Sequence, residues 1–161
     1  MSTPGPTTKG QAFINARPLQ VRLVNERATS APAQLSKEPK KVELHTETSS
    51  QFEIGLDNPE VPTLLNVAIN FEVRLTVPET EKKLVDYEAK HEVQFSLISW
   101  VGFDDWLNVP SEALSPYLGV VHDIALRRAE STLLEMGLRG VGLPRPQTFD
   151  GPEIEKQIPA E

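Results

Sequence analysis

The chain has 161 residues, a formal net charge of -7 and no cysteine. That length can bury a core without covalent staples, and the absence of thiols excludes a disulfide framework and any thiolate metal site. An acidic balance with Lys and Arg dispersed argues against a nucleic-acid surface, and no apolar run reaches the roughly 18 residues of a membrane span. The opening MSTPGPTTKG lacks the apolar core of a secretory signal, so the expected location is the cytoplasm.

Residues 1–11, rich in Pro, Gly, Thr and Ser, are expected to form a disordered arm. A first strand is predicted from Phe13 to Val24, where Leu19, Val21 and Leu23 alternate with Gln20 and Arg22. Pro18 interrupts it and marks an edge strand or a bulge. Asn25 to Pro39 then reads as a long connection, of the kind that is usually functional or mobile. A second strand follows from about Lys41 to Leu56, with a bend or bulge expected near Ser50. Asp57-Asn58-Pro59 and Pro62 supply a turn.

The clearest pattern lies from Leu65 to Val77. Its odd positions are Leu65, Val67, Ile69, Phe71, Val73, Leu75 and Val77, and polar residues or Ala68 stand between them. Strict alternation of that length gives a strand with one dry and one wet face, as antiparallel sheets allow. Pro78 to Lys82 forms a short polar connection to a fourth strand, Leu84 to Trp100. There Val85, Tyr87, Ala89, Val93, Phe95 and Leu97 hold the apolar phase.

The period changes after Trp106. Ser115-Pro116 has the form of a helix start, and Leu118, Val121, Ala125, Ala129, Thr132 and Met136 follow at spacings of three and four. Leu126 and Leu134 fall outside that stripe, which predicts a second apolar surface and a second partner. Asp123 and Arg127 form an i,i+4 pair, and Gly137 or Gly140 ends the helix. The expected fold is α+β: a four-stranded antiparallel meander with a long C-terminal helix packed on it. Residues 12–150 make that one domain, and 151–161 are a flexible acidic tail.

Catalytic signals are poor. His45, His91 and His122 lie on three different elements, and a metal site would need all three to converge with carboxylates. Asp104-Asp105 reads as a turn, and the glycines from Gly137 to Gly142 follow a helix instead of opening one, which argues against phosphate cradling. No enzyme activity, metal or cofactor is expected. One group does rise above background: Trp100, Phe103 and Trp106, with Tyr117 soon after. These aromatics either close the end of the core or line a partly open apolar pocket.

The order of elements resembles the export chaperone SecB and its SecB-like relatives. The resemblance covers roughly Leu19 to Asp150. It is clearest in the fourth strand, from Tyr87 to Leu97, at Leu114-Ser115-Pro116-Tyr117, at Arg139-Gly140 and at Phe149-Asp150. It implies an ATP-independent holdase, a homo-dimer or tetramer that holds unfolded or nascent chains in apolar grooves. By position it makes Trp100, Phe103, Trp106, Tyr117 and Leu35 client-binding candidates. Glu72, Glu88 and Glu92 on the wet face become a candidate partner-docking surface. The sequence departs from the family after Asp150, where Gly151-Pro152-Glu153 offers no second amphipathic helix and the tail lacks a basic end. The implied partner is therefore either SecA, in protein export, or an antitoxin, in toxin–antitoxin control. The alternative is a structural or assembly protein, a phage or particle component that oligomerises through the sheet edge and the helix.

Overall fold

A computed structural model describes residues 11–30, 45–76, 83–138, 142–143 and 155–157. Four long strands appear in order: β1 (Phe13–Ser30), β2 (His45–Leu56), β3 (Leu64–Thr76) and β4 (Lys83–Val101). A 3-10 turn (Trp106–Asn108), the helix α1 (Ser111–Glu135) and a three-residue strand β5 (Glu155–Gln157) follow. The sheet order is β1-β4-β3-β2-β5. The α+β fold is as the sequence predicts. The meander proper is β2-β3-β4, and β1 pairs with β4 and not with β2.

The alternation in β3 and β4 becomes two faces. Val67, Ile69, Val73 and Leu75 of β3 and Tyr87, Ala89 and Val93 of β4 are wholly buried, on the side that α1 covers. The register aligns rows across the sheet: Ile54, Val67, Val93 and Val21 share one row, and Glu53, Ala68, Glu92 and Arg22 the next. Directly opposed residues share a face, so dry rows alternate with wet ones.

Several expectations need correction. β1 extends to Ser30, so the polar run Asn25–Ser30 is strand and not connection. β2 pairs with β3 without a register shift, so no bulge occurs near Ser50. The irregularities lie instead between β1 and β4, at Leu19 and Val24 of β1 and at Ile98 of β4, and at the start of β4, where Leu84 is passed over in the pairing with β3. Leu19 follows Pro18, whose missing N–H interrupts the ladder. The helix starts at Ser111, one turn before Ser115, with Pro110 as its cap residue. Pro116 thus stands inside α1 and leaves the Glu112 carbonyl without an intrahelical N–H. Leu126 is buried with Leu118, Val121, Ala125 and Ala129, so it belongs to the sheet-facing stripe; Leu134 points outward at 59% exposure.

The C-terminus of α1 closes as the glycine predicts. Gly137 has φ 88°, its N–H donates to the Leu134 carbonyl at 3.0 Å, and the Leu138 N–H donates to the Leu133 carbonyl at 3.0 Å. This is the left-handed closure in which two otherwise orphaned carbonyls are satisfied, with buried Leu138 and Leu133 accompanying it. The chain returns at β5, where three residues of the segment expected as a tail pair in parallel with β2. Leu35, Lys40-Lys41, the Pro78–Lys82 connection, Arg139-Gly140 and Phe149-Asp150 lie outside the described residues.

Candidate functional site

Three of the four aromatics, Trp100, Phe103 and Trp106, meet in space, and Tyr117 packs apart from them. Trp106 stands edge-on to Trp100, ring centroids 5.2 Å apart, and edge-on to Phe103 at 5.0 Å. Tyr117 meets Phe95 edge-on at 5.0 Å. Their burial separates them into two kinds. Trp106 is 4% exposed, and its indole nitrogen lacks a partner among the described residues. Trp100, Phe103 and Tyr117 are half-buried. The Tyr117 hydroxyl donates to the Ile14 carbonyl and accepts from the Ala16 N–H at 3.0 Å, which ties α1 to β1.

Two local devices set this end. The bulge at Ile98 adds one residue to β4, which moves Trp100 from the wet phase of its strand to the side of Trp106. Asp105 then caps the 3-10 turn: its Oδ1 accepts from the Leu107 N–H at 2.9 Å and its Oδ2 from Asn108 at 2.6 Å. Asp105 is the turn residue the sequence suggests.

Sequence reasoning missed the larger feature. Among the described residues, eleven large apolar side chains are exposed, and seven of them lie on β1 or on the part of β4 that pairs with its start. Phe13 (58%), Leu19 (59%), Val21 (54%), Leu23 and Val24 belong to β1; Ile98 and Val101 of β4 border them, and Leu107 lies in the 3-10 turn that follows β4. Phe13 is paired with Val101, while Val21 and Leu23 sit opposite buried Val93 and His91. Val21 and Leu23 therefore continue the dry face beyond the cover of α1. Since β1 is also the edge of the sheet, this is a long strand with an apolar strip and, among the described strands, no ladder partner along its outer side. The signal in the sequence was the same Leu19, Val21, Leu23 alternation that identified the strand.

The wet face carries charge in pairs. Glu92 is 2.8 Å from Arg22, Glu88 is 3.1 Å from Arg27, and Glu72 is 3.7 Å from Arg74. Glu88 also accepts from Asn70 at 3.3 Å. Each glutamate expected on a docking surface thus has a cation beside it. Lys90 reaches Glu53 at 3.3 Å, and a hollow of about 200 Å³ opens where Gly55 and Ala68 leave room beside Asn66.

The histidines do not converge on a metal. His45 is exposed beside Glu47, whereas His91 and His122 are buried between sheet and helix. Burial lowers the pKa of both, and the nearby Glu26 carboxylate offsets this only in part for His91. His122 stands edge-on to Phe71 at 5.5 Å. Among the described residues no group of three or more His, Cys, Asp or Glu is placed to hold a metal ion. No described helix is long and apolar enough to cross a membrane.

No family model matches the sequence, and no curated protein matches it significantly. Among solved structures, the fold is similar to that of the Mycobacterium tuberculosis SecB-like chaperone Rv1957, in complex with a ChAD peptide from the Rv1956 HigA1 antitoxin. The TM-score is 0.57 at 14% identity, over 90% of this chain and 99% of that one. The likeness is one of fold.

Proposed function

We propose that the chain is an ATP-independent holdase that captures unfolded or nascent polypeptide on the apolar strip of β1 and its aromatic end. The single observation behind this reading is the concentration of exposed apolar side chains along β1, the edge strand of the described sheet. Trp100 and Phe103 make the client contacts at the aromatic end, Trp106 holds them in place from the core, and half-buried Tyr117 beside Phe95 is a further client contact. Leu35 is a further client contact by analogy of position only.

The magnitudes suit such a role. Covering the exposed half of a Val or Leu gives on the order of 1 kcal/mol. Several such contacts are needed to offset an association cost of about 4–15 kcal/mol, so capture is weak for each segment and tolerant of sequence. Main-chain pairing along the edge adds affinity without reading side chains. Nothing in this process requires a nucleotide or covalent chemistry, so the protein is not an enzyme.

The fold neighbour was solved with an antitoxin peptide, which favours toxin–antitoxin control over export through SecA as the setting. In this reading the protein works in the cytoplasm. Glu72, Glu88 and Glu92 form the docking face, and a basic partner there exchanges places with Arg74, Arg27 and Arg22.

A second reading rests on the length of the edge. β1 has 18 residues, enough for two copies to pair around a twofold axis as a dimer, or as a tetramer built from dimers. A structural or assembly protein needs no more than that. Aggregation assays with an unfolded model protein, combined with a mass measurement in solution, separate the readings. Suppression near stoichiometric ratios supports the holdase; a regular assembly without suppression supports the assembly component.

A further inference from the structure

On the wet side of the sheet, the charged residues of β1 are Arg17, Arg22 and Arg27, which stand opposite Ser96, Glu92 and Glu88 of β4. Successive arginines are five positions apart in the sequence, an odd interval that would put Arg22 on the other side of a regular strand. The bulges at Leu19 and Val24 each absorb one position, so all three arginines face one side, opposite every fourth residue of β4. Glu26, the one acid of β1, turns away from them to Arg128 and Tyr87. We propose that this arginine row makes β1 selective for polypeptide in which acidic residues, recurring at about every fourth position, alternate with apolar ones. The proposal rests on the holdase reading above and names what that strand selects.

The spacing sets the pattern. Four residues of extended chain span about 13 Å, so a strand laid along β1 meets an arginine at each such interval. Its alternate residues fall on the side of exposed Val21 and Leu23. The arginines have capacity for a second acid. Arg22 reaches Glu92 and Arg27 reaches Glu88 through Nη2, and a guanidinium has five N–H donors in all. Arg17 shares its row with Ser96 and Leu64, neither of them acidic. A basic residue in a captured segment meets like charge at all three points. A second copy of β1 is the poorer occupant, because twofold antiparallel pairing brings arginine against arginine on this side. Each exposed ion pair is worth up to about fivefold in affinity, so three together give on the order of tenfold.

Labelled peptides of one Val–Ser alternation test this on the full chain by fluorescence anisotropy: one with Glu replacing Ser at every fourth residue, one with Lys there, and one unsubstituted. The Glu peptide should bind the parent on the order of tenfold more tightly than the Lys peptide, with the unsubstituted one between them. Added salt should shrink the gap, and the variant Arg17→Gln/Arg22→Gln/Arg27→Gln should close it. The three side chains are exposed, so that variant should keep its fold, which circular dichroism checks. Equal binding of the three peptides, or a gap that persists in the variant, overturns the proposal. Affinity for the Glu peptide that falls as the chain dimerises at higher concentration identifies a second copy as the occupant and likewise overturns it. If no peptide binds a parent that suppresses aggregation of an unfolded protein, the selectivity fails alone. If suppression is also absent, the holdase reading fails with it.

Discussion

Glu26 and Arg128 form a two-pronged ion pair between β1 and α1, with Arg128 Nε and Nη2 donating to the two carboxylate oxygens at 2.9 and 3.0 Å. The same carboxylate accepts from the Tyr87 hydroxyl at 2.9 Å and from Thr132 at 3.3 Å. The Arg128 hydrogen bond holds the Glu26 carboxyl below its ordinary range, while burial and Glu26 push the Tyr87 hydroxyl up. This cluster fastens the second half of β1, the part that reads as loop, to the helix.

The partners are not equivalent. Glu26→Ala strands the hydroxyl of Tyr87, a fully buried residue, and is expected to cost about 2–3 kcal/mol. Arg128 is 45% exposed, and Arg128→Ala should cost under about 1 kcal/mol. Urea unfolding of the two variants checks the inequality.

Stability should fall as the solution is acidified, in separate windows. Burial keeps His91 and His122 below the ordinary histidine value of about 6.5, so below that pH the unfolded chain binds more protons than the folded one. Their contribution is fully present above pH ~6.5 and is lost as pH falls through the folded values. Melting temperature against pH should decline there, and His91→Leu should flatten part of that decline. Its near neighbours from the helix and from β1, Arg128 and Glu26, keep their charges across this range.

A further window opens at lower pH. Burial alone raises the Asp57 carboxyl, but hydrogen bonds from the Thr63 side chain and the Thr63 and Leu64 N–H groups outweigh it and bring it to about 2. The stabilisation from Asp57 is present above its ordinary value, 3.8, and is lost as pH falls toward about 2. Asp57→Ala should remove that acid-sensitive step and loosen the β2–β3 turn.

At the aromatic end, stability and capture should separate. Trp106→Ala empties a buried site and should cost about 3–5 kcal/mol. Phe103→Ala removes a half-buried ring and should leave the fold intact while lowering client capture. Calorimetry together with an aggregation assay on both variants checks the difference.

The helix end gives a backbone test. Gly137 sits at φ 88° with open space where a Cβ would lie, so Gly137→Ala meets no clash and carries only the left-handed penalty. The expected loss is about 1 kcal/mol, read from the urea midpoint.

Legibility in the sequence followed the regularity of the backbone. β3 and β4 keep period two while one face stays dry, so Leu65 to Leu75 and Val85 to Leu97 could be assigned residue by residue. Bulges at Leu19, Val24 and Ile98 break that period, which obscured the facing of Trp100 and the reach of β1. Asn25 to Ser30 is strand because β4 is long enough to pair with it, a tertiary cause that a polar run cannot announce. Ser115-Pro116 has the residue types of a helix start, but Ala113 and Leu114 already pack on the sheet and carry α1 a turn further back. The aromatic cluster was visible as a group; the division into buried Trp106 and half-buried Trp100 and Phe103 depended on the fold.

The most direct test is nucleotide-free light scattering of an unfolding model protein with and without the chain, comparing the parent with Leu19→Ser/Val21→Ser/Leu23→Ser, and with solution mass recorded on the same samples. The holdase reading predicts suppression near stoichiometric ratios by the parent, and its loss in a variant that remains folded. Absence of suppression by a well-folded, regularly assembled parent would contradict it.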